Sequence, residues 1–396
     1  MDKTLRQPQM ANRIATFLLL ALVPTVITLA ETIADFYFFV TPDQDTIFCK
    51  IQSEESHTVS ICRDFTVVKT WGIVSSYSTT RATQRAKGNL TLPATVNLKH
   101  VDINDKVTDK GRYTIVAIES DGLSDCMELN SITLPLSITR IEGGSFKNCT
   151  SLETINLPSD LQKIELSFAD GCTALSAVNV PSSSSSKFFS VGGALCEKGA
   201  LVFCPKNKKG SLVLPSTVKE IGEFACLNCG GLTSVTIPGS VKTIGKEAFK
   251  GCGTLQSVTL TNGIETISTS AFEECRLLKS ATIPGSVKTI GNKAFKKCSG
   301  LTSLTLSEGI ENIYSEAFAF CSSLTSVVIP NSLTFLQGSS FMGCTSLENI
   351  RIGTGLKNLY SYTFYGCENL TTVNCPPTLD SDNDAFLGCD KLSLKR

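Results

Sequence analysis

The sequence predicts a solenoid: a right-handed stack of coils with one parallel β-sheet face, a 23-residue period and a small β-rich N-terminal cap. Three observations point there. The stretch PGSVKTIGKEAFKGCGTL at 238–255 returns almost unchanged as PGSVKTIGNKAFKKCSGL at 284–301, with a paler version between them. Leu232, Leu255, Leu278, Leu301, Leu324, Leu347 and Leu370 each follow the last by 23 residues, and Leu129, Leu152 and Leu175 keep the same step. Inside a unit, Val235 and Ile237 alternate with Ser234 and Thr236, the two-residue period of a strand with one face inward.

The first element is a targeting segment, 1–30. Lys3, Arg6 and Arg13 precede an apolar run from Ile14 to Ala30, and Thr28 and Ala30 are small residues placed for cleavage before Glu31. Met10 as the start would shorten the segment to more typical length. The run is also near the lower limit for a spanning helix, so a retained anchor is the alternative. No second spanning stretch follows, and the chain ends in KLSLKR. Residues 31–112 read as the β-rich cap. Cys49 and Cys62 lie there with strand-like sequence between them, a candidate disulfide in an exported chain.

Residues 113–396 form the array. One unit reads L-x-x-V-x-I-P-x-x-V-x-x-I-G-x-x-A-F-x-x-C, as in Leu232, Val235, Ile237, Val241, Ile244, Ala248, Phe249 and Cys252. After Pro238 the spacing widens, and Ala248 with Phe249 turns inward again, so each unit is one turn of a coil. About eleven units carry the IG..AF..C segment in register. On these residues the chain resembles the BspA-like, or treponemal-type, leucine-rich repeat family, which implies a leucine-rich repeat solenoid. The family's recurrent hairpin insertion is similar to FFSVGGALCEKGALVFCPKNKKGSLVLP, and an insertion near 182–211 explains why Leu175 and its next equivalent, Lys209, are 34 residues apart. GNLTLPATV, ending at Val96, resembles the family's β-rich lead-in.

In-register stacking turns each column of equivalent residues into a ladder with about 4.8 Å steps. Phe249, Phe272, Phe295, Phe318, Phe341 and Phe364 are then an interior aromatic spine. Of 17 cysteines, eleven from Cys126 to Cys389 fall in one column. Their side chains point in parallel at the strand spacing, too far apart for disulfide Cβ atoms at about 3.8 Å, so they read as buried thiols. Cys226 and Cys229 make a CLNC that invites a redox or zinc reading, but the register separates them, putting Cys226 in the Phe column and Cys229 in the Cys column. Lys242, Glu265, Lys288 and Glu311 alternate in sign along an exposed column, which fixes the register of near-identical coils.

Function classes are bounded by what is scarce. Formal charge is zero, with 36 basic and 36 acidic residues, so no overall field recruits nucleic acid, and none is expected as a partner. A membrane partner follows only if the N-terminal segment is an anchor. His57 and His100 are the two histidines, both outside the repeats, and residues 31–110, with Trp71, show no spacing of catalytic groups. No cofactor or metal is expected. Asp380, Asp382 and Asp384 in LDSDNDAF lack the glycine and distant Glu of an EF-hand loop and read as a solvated cap. Asn89, Asn148 and Asn369 are glycosylation sequons, meaningful only in a eukaryotic host.

The candidate ligand-facing positions are the outward strand residues Ser234, Thr236, Ser257, Thr259, Ser280, Thr282, Ser303 and Thr305, a hydroxyl lattice that suits a repetitive ligand and equally suits ordinary β-favouring solvent-facing residues. The family resemblance implies a non-enzymatic, secreted or cell-surface binding protein that adheres to host or neighbouring-cell surface proteins or glycans. The alternative is an intracellular protein-interaction scaffold, with the N-terminal run misread as a signal.

Overall fold

The computed structural model describes residues 36–40, 46–62, 86–101, 107–183 and 186–392. The N-terminal segment 1–30 and Trp71 lie outside the described residues. Among those described, no helix is long and apolar enough to cross a membrane. The chain divides into two compact units, residues 1–152 with 160–172, and residues 153–159 with 173–396.

In the first unit, five strands close on themselves. Phe36–Val40 pairs antiparallel with both Thr46–Ser53 and Thr95–Val101, Thr46–Ser53 pairs with Thr58–Ile61, and Val107–Ile118 pairs with Thr58–Ile61 on one side and Thr95–Val101 on the other. Val59, Ile61, Leu98 and Ile115 point inward and are buried. Coils begin in the same unit. Gly88–Thr91 already pairs in parallel with Leu129–Thr133, and Val107–Ile118 runs past position 113 to pair Ile118 with Ile141. The long strand thus belongs to both the closed sheet and the coil ladder.

The second unit is the regular array. Gly210–Val213, Leu232–Ile237, Ser257–Leu260, Ser280–Ile283 and Ser303–Leu306 form one parallel sheet, continued by the parallel set Ser326–Ile329, Asn349–Ile352 and Thr372–Asn374. Partners such as Val235 with Val258 and Ser280 with Ser303 are the sequence equivalents 23 residues apart. The sequence pattern foresaw one sheet face. A second parallel ladder stands beside it, built from two-residue strands including Thr243–Ile244, Thr266–Ile267 and Thr289–Ile290. It forms because the V-x-x-I step ends in an inward isoleucine with an extended backbone, which leaves N–H and C=O groups that only the next coil can satisfy.

The remaining side of each coil turns without a strand. Two residues per coil take left-handed φ, among them Glu247, Ser270, Lys293 and Glu316 in one column and Glu274, Lys297 and Phe320 in the other. Coils are tied there by bonds from the Phe column to the following coil: Phe249, Phe272 and Phe295 each donate N–H to Ala271, Ala294 and Ala317 carbonyls at 2.7 Å. The glycine of the repeated PGS is required by close approach of backbones, since a Cβ on Gly285 would lie 1.9 Å from the Glu308 carbonyl oxygen.

Inside, Phe249 through Phe364 stack face to face at centroid separations of 5.1–5.5 Å, and Phe386 extends the stack. The six phenylalanines from Phe249 to Phe364 are fully buried. The expected insertion is an antiparallel meander of Phe188–Val191, Ala194–Glu197 and Ala200–Phe203. Its last strand joins the second ladder through Leu201 and Ile221, so the insertion is an enlarged version of a coil's short strand.

Candidate binding surface

The strand face is where the outward hydroxyls gather. Ser257, Thr259, Ser280, Thr282, Ser303 and Thr305 are exposed and Ser234 and Thr236 half-buried; the serines pair in register across all four strands, and Thr236 pairs with Thr259 and Thr282 with Thr305. This follows from the two-residue pleat: Val258, Ala281 and Leu304 take the buried positions between them. The threonine column runs from exposed Val213, through Thr236, Thr259, Thr282 and Thr305, to exposed Val328.

A second feature lies on the side of the second ladder, near the array's end, and sequence reasoning missed it. Tyr314, Phe335 and Tyr360 form a run of rings at 5.7 and 5.8 Å, with Tyr314 and Tyr360 exposed. Phe335 and Tyr360 line a hollow of about 490 Å³ with Ser315, Gln337, Ser361 and Asp382. Its polar rim is pre-set. Asp382 accepts from the Ser361 N–H and hydroxyl at 2.8 and 2.9 Å, and Gln337 Oε1 accepts from Ser315 N–H at 3.0 Å. Aromatic faces edged by fixed carboxylate and amide oxygens suit a ligand that is apolar on one face and hydroxylated at its rim. The signal was available as Phe335 where other coils carry Thr or Asn, and as Tyr314 and Tyr360 where they carry Gly, Ser or Gln. Asp382, read as part of a solvated cap, is a capping acceptor for the preceding coil.

The cysteine column is a hydrogen-bonding device as well as a packing one. Cys275, Cys298 and Cys321 donate to the carbonyls of Phe249, Phe272 and Phe295, in the preceding coil, at 3.2–3.3 Å. Burial pushes these three thiols well above their ordinary value, so they stay protonated donors. Around the insertion the pattern changes: Cys204 is held well down by hydrogen bonds from Cys226 and Cys229, with Lys208 adding to the effect.

The charge column resolves into pairs. Lys242 meets Glu265 at 2.8 Å and Lys288 meets Glu311 at 2.9 Å, while the same lysines donate to the Gly263 and Gly309 carbonyls. In the closed sheet, register sets buried Cys49 opposite Ile61, one residue short of Cys62. The Cys49 thiol is pushed up first by burial and then by Cys62. The sequons serve the stack: Asn89 accepts from Ser131, Asn148 donates to Asp125, and Asn369 donates to the Thr345 carbonyl.

Comparison with known proteins agrees with this architecture. The BspA type leucine rich repeat region matches in six copies, over residues 94–190, 199–323 and 265–393. No curated protein matches. Among solved structures, a leucine-rich repeat protein from Bacteroides ovatus superposes with a TM-score of 0.63 at 23% identity, covering 87% of this chain and 79% of its own. A leucine rich repeat protein from T. pallidum is 29% identical over 49% of this chain and 82% of its own, with a TM-score of 0.39. A leucine rich cell surface protein from Faecalibacterium prausnitzii is 20% identical over 94% of both chains, with a TM-score of 0.38. With the repeat pattern matching well over half of its residues, the chain belongs to the BspA-type leucine-rich repeat family.

Proposed function

We propose that this protein is a non-enzymatic binding protein of the cell surface or the secreted fraction, adhering to proteins or glycans of a host or neighbouring cell through its solenoid surface. The observation that carries the reading is the register-paired strand face, where six exposed hydroxyls stand on three successive coils. Such a face meets a ligand without being reordered, so little conformational entropy is lost on binding. The leader-like segment 1–30 supports export. N-terminal sequencing of the mature chain tests export, and full-length protein retained in the cytosol returns the intracellular scaffold. In an oxidising compartment we further expect a Cys49–Cys62 disulfide, seen as a mass loss of two hydrogens without reductant.

The decisive experiment is binding of the purified chain to matrix proteins, glycans and cells. Replacement of Ser257, Thr259, Ser280 and Thr282 by lysine should abolish binding, and unchanged binding removes the strand face as the site. The aromatic hollow favours a second reading, in which a sugar ring stacks on Phe335 and Tyr360. Tyr360→Ala would then abolish binding while the lysine variants leave it intact.

A further inference from the structure

The aromatic column has a gap that the coil geometry does not require. Cys226 donates its N–H to the Ala248 carbonyl at 2.7 Å, and Cys204 donates to the Ala225 carbonyl at 2.6 Å, the same bond that Phe249 makes to Ala271. Two consecutive coils therefore place a cysteine where seven others place a stacked phenylalanine. Cys229, from the ordinary cysteine column, completes a trio. The three sulfurs lie within 4.8 Å of one another, and all three residues are buried. This is the one such group of potential metal ligands among the described residues. Cys229 shares its thiol proton between two acceptors, the Cys204 and Pro205 carbonyls, both at 3.5 Å, where the regular column makes one bond at 3.0 to 3.4 Å.

We propose that Cys204, Cys226 and Cys229 bind one thiophilic closed-shell cation, Zn²⁺ or Cu⁺, which fastens the hairpin insertion to the array. Metal–sulfur bonds of about 2.3 Å place sulfurs on the order of 3.8 to 4 Å apart, within the span the trio already occupies. An all-sulfur set selects soft cations over Ca²⁺ or Mg²⁺. Binding Zn²⁺ releases the three thiol protons to solvent and leaves a complex of charge minus one; Cu⁺ leaves minus two. Lys208, four residues from Cys204 in the chain, is a source of balancing positive charge. Cys252, on the next coil, stands outside this trio and donates to the Cys226 carbonyl, so a shift of its side chain would bring a fourth sulfur to tetrahedral Zn²⁺.

The full chain, reduced and stripped of metal, is titrated with Co²⁺ as a spectroscopic stand-in for Zn²⁺, and separately with Cu⁺ delivered from a chelator. One equivalent per chain with sulfur-to-metal charge-transfer absorption is expected. Cys204→Ser and Cys226→Ser should each weaken binding at least tenfold, while Cys298→Ser, distant in the cysteine column, leaves it unchanged. X-ray absorption on the unaltered, zinc-loaded chain should give a shell of three or four sulfurs, a readout independent of how the variants fold. Failure of the reduced chain to bind stoichiometrically, a nitrogen or oxygen shell, or a disulfide between two of these cysteines in chain isolated from zinc-containing medium without reductant each overturns the proposal.

Discussion

Coils from Phe249 to Phe364 and the coils that carry the hairpin insertion solve one problem differently. In the first, the phenylalanine and cysteine columns repeat, rings stack at 5.1–5.5 Å and each thiol serves a carbonyl of the preceding coil. In the second, Ala200–Phe203 replaces the short strand, the ring column is interrupted at Cys204 and Cys226, and three sulfurs gather within 4.8 Å of one another. Periodicity lets a single residue type be optimal many times over. An insertion ends that equivalence locally, and the side chains around it are free to do something other than stack.

Substitutions sharpen the contrast. The largest expected effect is Phe295→Ala, which opens a cavity between two stacked rings and should cost about 3 to 5 kcal/mol in urea unfolding. Cys226→Ala, in the same column but beside the insertion, removes far less volume, and an equal loss at the two positions would mean that the stack is not what holds the regular coils. Gly285→Ala comes next: its Cβ would meet the Glu308 carbonyl at 1.9 Å, and a loss of about 1 to 3 kcal/mol in the same assay is expected. Cys298→Ala deletes a buried sulfur and removes one of the two donors to the Phe272 carbonyl, which keeps the Cys275 N–H, for about 1 kcal/mol. Because burial holds that thiol protonated, this loss should stay nearly constant from about pH 6 to 7.5, below the ordinary thiol value of about 8.5, and shrink as the unfolded thiol ionises above it.

The smallest effects belong to surface charge. Lys288→Ala should shift unfolding by less than about 1 kcal/mol, since both partners are half-exposed. Glu274 sharpens the pH behaviour. Its carboxyl is held below the usual range by Lys297, with Arg276 assisting, so its contribution is complete at neutral pH and fades as pH falls through its lowered value. Glu274→Gln should flatten that acid limb slightly in an acid-unfolding curve. A limb unchanged in Glu274→Gln would assign the acid sensitivity to other carboxylates.

What the sequence made legible was whatever repeats. The phenylalanine column, the cysteine column and the outward hydroxyls follow from a fixed step and a two-residue alternation, and Val235 beside Val258 could be read directly. The second ladder was hidden because two-residue strands such as Thr243–Ile244 are too short to show a period. Cys204 was hidden because it stands 22 residues before Cys226, in LVFCPK, where the IG..AF..C phrase is missing and the step slips by one. The hollow was hidden because Tyr314 and Tyr360 occupy one column and Phe335 another, so no single alignment column is aromatic.

The 23-residue pairing between successive strands implies that length is a quantised property of this protein. Excising a stretch such as 262–284 would bring Thr261 to Gly285 with the neighbouring rungs still matched, whereas removing a few residues more or fewer would rotate every later side chain off its mark. Recombination between near-identical copies can therefore extend or trim the molecule by whole rungs, and the reach of its outer face changes in the same increments.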